Sequence, residues 1–222
     1  MTKKKLKVLD LFAGTRSVAR AAERAGYETF SVELDEQHEG IDLYANILDV
    51  TPEMIIEKFG VPDVIHGSPP CQSFSVAAIG KNWTKHPDGN VTPKHERAEL
   101  GMKLVQHTLW LIKELNPKVW YIENPRGMLR KMPFMQEFNR YTVGYCQYGD
   151  TRQKPTDIWS SHSGIPFKPL CKPGSPCHVA APRGSSTGTQ GIKNVVDRSR
   201  IPDELCDFMI ESAEKIIEEG DE

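Results

Sequence analysis

A chain of 222 residues, 38% hydrophobic and 26% charged, can bury one substantial core, which favours a single globular domain with at most a small appendage. Its formal net charge of -2 excludes a globally basic nucleic-acid binder, so any phosphate-binding surface has to be a local patch. No apolar stretch approaches membrane-spanning length, and Asp10 interrupts the apolar run behind the basic N-terminus, so neither a membrane span nor an export signal is expected.

Taken in order, Leu6-Lys7-Val8-Leu9-Asp10-Leu11 reads as a buried strand. A turn at Gly14 leads into a helix through Val18, Ala21 and Ala22, stopped by Gly26. Thr29 to Glu33 is a second strand. Thr51-Pro52-Glu53 has an N-cap followed by proline in the first helical position, opening a helix that ends at Gly60. Asp63 to Gly67 is a third strand. A long helix is predicted from Glu96 to Leu115, with Leu100, Leu104, Leu111 and Leu115 on its apolar face and Asn116-Pro117 as the stop. Lys118 to Glu123 returns as a strand.

Strands alternating with helices imply an α/β fold with a mostly parallel sheet and helices on both faces. Ligands in such sheets bind at the carboxyl ends of the strands. The chemically interesting residues fall there: Asp10 to Gly14, Glu33, Pro69 to Cys71, and Glu123 to Pro125. The dinucleotide fingerprint is absent, because Thr15-Arg16-Ser17 follows Gly14, so a nicotinamide enzyme is disfavoured. Residues 160–190 are rich in Pro, Gly, Ser and Cys without periodicity, and read as an ordered loop region or small subdomain. Five cysteines without an export signal point to a reducing cytoplasm and to free or metal-bound thiols.

One motif is far more specific than these. Pro69-Pro70-Cys71-Gln72-Ser73-Phe74-Ser75, with Asp10-Leu11-Phe12-Ala13-Gly14 upstream and Glu123-Asn124-Pro125 downstream in the right order, resembles the DNA cytosine-5 methyltransferases along nearly the whole chain. The resemblance implies a Rossmann-like, S-adenosylmethionine-dependent methyltransferase fold with DNA as partner and a flipped cytosine as target. It implies Cys71 as the nucleophile at C6 of the base and Glu123 as the group at N3 and the exocyclic amine. Arg152 looks like the family's arginine that supports the base, and the register leaves Lys154 as a sharer of that role. For the cofactor it implies Asp10, Phe12, Ala13 and Gly14 near the methionine part. Glu33 falls to the ribose and Asp49 to the adenine amine, with Leu34, Val50 and Pro69 beside them. Residues 76–93 correspond to the mobile loop that closes over the base. Compact chains of this look occur among bacteriophage enzymes, so a viral or prophage source is expected.

The chain departs from the family pattern in three places. Thr15-Arg16-Ser17 replaces a usual glycine, Pro125 follows Glu123-Asn124 where valine is common, and the closing Gly-Asn-Ser-Val motif is missing. The organisation expected is a catalytic and cofactor-binding domain over 1–159, a very small target-recognition region over 160–190, and a C-terminal segment over 191–222. That segment carries a final helix through Leu205, Phe208 and Met209, packed back on the first strand and helix.

With so little chain for reading bases, a short or degenerate recognition context is expected, with Lys172, Arg183 and Lys193 on phosphates. Other candidate patches are Arg126, Arg130 and Lys131, then Arg152 and Lys154, then Lys193, Arg198 and Arg200, with plain solvated charge as the alternative. Cys171, Cys177 and His178 carry zinc-type donors, with Cys146 as a fourth, although the spacing is wider than usual and unliganded thiols are the alternative. RNA cytosine-5 methylation shares every motif and stays open, as does a silent nucleic-acid-binding member, which intact Cys71 and Glu123 disfavour. An amino methyltransferase is disfavoured because Cys71 occupies the place of that motif's aromatic residue.

Overall fold

The computed structural model describes residues 5–172, 174–180, 192 and 194–220. A seven-stranded sheet is its frame. In chain order the described elements are β1 (Lys7–Leu11), α1 (Ser17–Arg24), β2 (Glu28–Glu33), β3 (Leu43–Tyr44), α2 (Pro52–Lys58), β4 (Val64–Gly67), α3 (Ile79–Asn82), β5 (Trp83–Lys85), β6 (Val91–Pro93), α4 (Glu96–Leu115), β7 (Val119–Pro125), β8 (Asn139–Gly144), β9 (Pro155–Ser160), α5 (Val195–Ser199) and α6 (Asp203–Gly220). Sheet order is β3-β2-β1-β4-β7-β9-β8. The first five strands run parallel, and β9 is antiparallel to both β7 and β8. The order reverses direction at β1, so the crevice beside its carboxyl end is where an open α/β sheet takes its ligand.

Alternation along the strands supplies two cores. Leu9, Leu11, Val32, Ile65 and Ile122 face α2 and α4, whereas Val8, Val64, Val119, Tyr121 and Ile158 face α1 and α6. The local stop signals act as expected. Gly26, at φ +85, donates its N–H to Glu23 just past α1, and the Thr51 side chain accepts from Met54 N–H at the start of α2. Asn116, at φ +46, ends α4. Of the predicted stripe, Leu111 and Leu115 are buried and Leu104 is partly buried against the core, while Leu100 is exposed; Ala98, Gly101, Val105, Thr108 and Ile112 complete the buried face. Small residues at 98, 101 and 108 let the helix approach the sheet and the turn after β4, which a count of leucines does not register.

α6 lies against α1, with the Arg24 guanidinium 2.6 Å from Asp207, and packs on the same face of the sheet. Residues 76–93 form short elements of their own. α3 leads into the β5-β6 hairpin, whose turn closes through the His86 N–H to Asn90 carbonyl bond of 2.8 Å, with Gly89 at φ +87. The hairpin is anchored at its base. Trp83 is buried, stacks on Phe74 and donates to the Ser73 carbonyl at 2.7 Å, while Asn82 donates to the carbonyls of Gln72 and Ser73.

Candidate active site

Pro69 and Pro70 end β4 and remove two backbone donors from the strand end. Cys71 then opens a 3-10 turn (Cys71–Ser73) whose first carbonyl accepts from Phe74 and Ser75. The turn is held from four sides. Asn124, on β7, donates to the Pro69 carbonyl at 2.8 Å; Asn82 and Trp83 hold the next carbonyls; the Met128 N–H reaches the Phe74 carbonyl at 2.6 Å. Gly127 sits so close that a Cβ there would stand 2.1 Å from the Phe74 carbonyl oxygen. Cys71 is exposed at the mouth of the site. Asn82, Trp83, Asn124 and Gly127 are positioning residues that sequence reasoning passed over; only Asn124, inside the quoted motif, carried a signal.

Glu123 is buried near the end of β7. Its Oε1 accepts from the Tyr145 hydroxyl at 2.9 Å and its Oε2 from the Ser68 hydroxyl at 3.2 Å. Tyr145 itself accepts from Lys154 Nζ at 3.3 Å, and that ammonium lies 4.4 Å from the ring centroid. The register of β9 explains this meeting: Thr156 pairs Pro125 and Pro155 pairs Gly144, so the residue before β9 arrives where β7 and β8 end. Lys154 has φ +27, a conformation lysine seldom takes, immediately before Pro155.

Although Cys71 keeps one side open to solvent, the protein packed around it desolvates the thiol and, with the Glu123 carboxylate, pushes it above its ordinary range, while Lys154 and Arg198 draw it back. Burial likewise lowers Lys154, opposed by Glu123 and Cys71. Cys71, Glu123 and Lys154 therefore form one electrostatically coupled group.

Arg152, expected to support the base, stands apart from that group and has its donors engaged within the chain. Its Nε lies 2.9 Å from both oxygens of Asp150, and its other nitrogens donate to the carbonyls of Asp197, Arg198 and Arg200. The guanidinium is spent on tying the segment before α6 to the loop. Its register partner Lys154 faces Cys71 and Glu123 instead. Arg130, from another candidate patch, pairs with buried Asp157 and Thr142, which makes it a structural group; Arg126 and Lys131 are exposed.

Beside this group, at the switch point, lies a cleft lined by Phe12, Val32, Glu33, Leu34, Asn46, Ile47, Pro70 and Leu104. Glu33 is fixed by backbone donors: Oε2 accepts from Gly14 at 2.9 Å and Oε1 from Leu34 and Asp35. Three N–H donors hold its rotamer and leave lone pairs for a ligand's hydroxyls. Gly14, at φ +48, and Phe12, at φ +58, turn the chain sharply there. Ala13 donates its N–H to the Val32 carbonyl at 3.0 Å.

Continuing from Gly14, a second recess is lined by Thr15, Arg16, Arg20, Asp35, His38 and Val196. Among the described residues, Arg16 Nε and one Arg20 terminal nitrogen are buried with no hydrogen-bond partner. Sequence reasoning had no cue for either arginine beyond the departure from glycine.

Other expected cofactor residues stand differently. Asp10 lies on the α1 side of the sheet, nearly fully buried, with Oδ1 2.8 Å from His66 Nδ1 and Oδ2 accepting from the Ala19 N–H; it anchors α1. Val50 is fully buried and its carbonyl meets His107 at 2.9 Å. Asp49 is exposed on the 3-10 turn Ile47–Asp49, and Asn46 and Ile47 line the cleft. Pro69 is buried behind Pro70.

Away from the cleft, Cys146, Cys171, Cys177 and His178 bring one donor atom each to within 4.8 Å of one another. Lys172 is exposed, whereas Arg183 and Lys193 lie outside the described residues. Among the described residues no helix is long and apolar enough to cross a membrane.

Comparison with known proteins gives a consistent result. The family model for C-5 cytosine-specific DNA methylase matches residues 6–141. A Frog virus 3 (isolate Goorha) protein named "Probable DNA (cytosine-5)-methyltransferase" is 31% identical over 169 residues, 72% of this chain and 72% of that protein. Type II methyltransferase M.FnuDI of Fusobacterium nucleatum is 29% identical over 131 residues, which cover 57% of this chain but only 34% of the bacterial enzyme. Among solved structures, the Entamoeba histolytica methyltransferase EhMeth superposes with a TM-score of 0.52 at 12% identity, over 76% of this chain and 57% of that one; at that identity the likeness is one of fold.

Proposed function

The chain belongs to the C-5 cytosine-specific DNA methylase family, and from that premise we propose that it methylates C5 of cytosine in DNA through a covalent Cys71 adduct on a flipped-out base. The observation that carries the reading is the meeting of Cys71, Glu123 and Lys154 at the strand ends, directly beside the cleft lined by Glu33 and Pro70. Target C5 and C6 lie inside the base stack of a duplex, so the base has to leave it to reach a buried carboxylate. Cys71 Sγ adds to C6 as Glu123 supplies a proton at N3, which turns C5 into a nucleophilic, enamine-like carbon. Once C5 carries the methyl group, a water molecule takes the C5 proton, its electron pair re-forms the C5–C6 double bond, the S–C6 bond breaks with Cys71 leaving as thiolate, and the N3 proton returns to Glu123. Lys154 steadies the thiolate and the Glu123 carboxylate during these charge changes.

S-adenosylmethionine, the cofactor of this family, supplies an electrophilic methyl group on a sulfonium. The residues present fit it. Glu33 has lone pairs free for ribose hydroxyls, Phe12, Ile47 and Leu104 offer apolar walls to the adenine, and the unpartnered nitrogens of Arg16 and Arg20 suit the amino-acid carboxylate. Glu33→Ala and Arg20→Ala are each expected to weaken cofactor binding by about 1–3 kcal/mol in calorimetry. Unchanged affinity in both would place the cofactor elsewhere.

Replacing Lys154 with methionine provides an electrostatic test. The ammonium lowers the Cys71 thiol, so its loss raises the thiol, and the thiolate forms only at higher pH. The pH midpoint for alkylation of Cys71, followed by peptide mass spectrometry, is expected to move upward. A midpoint that stays in place or moves down would remove Lys154 from the site.

In this reading residues 160–190 serve as the target-recognition region and 191–222 close the catalytic domain. The whole is tested by mapping 5-methylcytosine and its flanking sequence in DNA from cells expressing the chain, with total RNA assayed in parallel. A short or degenerate DNA context is expected. Label confined to RNA would refute the DNA assignment.

A further inference from the structure

We infer that Cys146, Cys171, Cys177 and His178 form a closed zinc site that clamps the short segment after β9 to the loop carrying Tyr145 and Lys154. All four donor atoms lie within 4.8 Å of one another, and four of their six separations have the length of a tetrahedral zinc site's edge. Cys146 and Cys171 sulfurs are 3.3 Å apart, Cys146 and Cys177 are 3.6 Å apart, and His178 Nδ1 is 3.5 Å from both Cys171 and Cys177. Zinc bonds of about 2.3 Å to sulfur and about 2.0 Å to nitrogen put tetrahedral neighbours roughly 3.5–3.8 Å apart, so an ion at the centre reaches all four. None of these sulfurs is disulfide-bonded.

The surroundings also suit a metal-bound thiolate cluster. The Gln147 amide donates to the Cys177 sulfur and the Gln153 amide to the Cys171 sulfur, each at 3.4 Å. Donors aimed at sulfur stabilise thiolates and orient them, as the outer partners of metal ligands do. With four protein ligands no position remains for water or substrate, so the ion is structural.

Its place in the fold defines its job. Described residues between Ser160 and α5 form no helix or strand, and a segment this short cannot build a core of its own. It is fastened instead to the loop between β8 and β9. Lys168 N–H donates to the Tyr148 hydroxyl at 2.8 Å, Val179 N–H to the Thr151 carbonyl at 2.9 Å, and the four donors sit between those points. Cys146 adjoins Tyr145, which holds Glu123, and Gln153 adjoins Lys154. An ion there braces the active-site loop from behind while supporting the segment expected to meet DNA.

The test reads metal, independently of methylation. Full-length protein purified without chelators is expected to contain one zinc per chain by mass spectrometry of the metal. A mercurial titration should release it as thiols are consumed. Cobalt exchanged into the site should show tetrahedral ligand-field bands and a thiolate charge-transfer band. Cys177→Ser and His178→Ala should each lose at least half of the metal, whereas Cys71→Ser, which removes a thiol outside the cluster, should keep it. Should a ligand variant fail to fold, the wild-type cobalt spectrum and the mercurial release still decide. Absence of metal as purified and after refolding with zinc, or a disulfide between Cys146 and Cys171 in the intact protein, would overturn the assignment.

Discussion

Replacing Cys71 with alanine is expected to lower methylation by at least about 10³-fold, as removal of a catalytic nucleophile does elsewhere, and to leave cofactor binding unchanged. Cys71 is not among the residues that line the Glu33 cleft, and its turn is held through backbone carbonyls that alanine retains. The loss is therefore one of chemistry rather than of fold. Without addition at C6, C5 of cytosine is too weak a nucleophile to take a methyl group. DNA containing 5-fluorocytosine separates this mechanism from its rivals. Fluorine at C5 cannot depart as a proton does, so the S–C6 bond persists and the protein remains attached to DNA in denaturant. The wild-type chain should form this band in the presence of cofactor, and Cys71→Ala should not. An alanine variant that methylates within tenfold of wild type would refute covalent catalysis by Cys71.

Glu123→Gln is expected to reduce turnover by roughly 10²–10⁴-fold, the usual contribution of a positioned acid-base group, while the fold and cofactor affinity stay intact. Glutamine preserves the shape, and both neighbours, the Tyr145 and Ser68 hydroxyls, can accept as well as donate. The change removes the group that exchanges a proton with N3 and, with it, the carboxylate that acts on Cys71. Because the Glu123 carboxylate raises the Cys71 thiol, its loss should let the thiolate form at lower pH. Alkylation of Cys71 in Glu123→Gln should thus shift toward acid, opposite to the shift expected for Lys154→Met. Opposite shifts would identify the three residues as one coupled site. A normal turnover in Glu123→Gln would show instead that the carboxylate is only a packing partner of Tyr145.

Signals that act within a few residues were legible in the chain as written. Short, mainly apolar runs marked β1, β4 and β7. Gly26, Thr51 and Asn116-Pro117 marked helix ends, because capping and left-handed turns depend on one or two neighbouring residues. The Pro69-Pro70-Cys71 turn was equally plain, since two prolines leave the backbone few alternatives. What those signals could not contain is the pairing of strands far apart in sequence. β9 inserts between β7 and β8, and a shift of its register by one residue would reverse which side chains face Glu123. Only that pairing, with the turned backbone of Lys154, decided that the lysine rather than Arg152 reaches Tyr145, the partner of Glu123. The same holds for Asn46 in place of Asp49 at the cleft, and for the thiol cluster, whose members lie 25 and 31 residues from Cys146 in the chain. Sequence by itself marked Cys71 as the candidate nucleophile; the hydrogen-bonded register of the sheet decided which groups surround it.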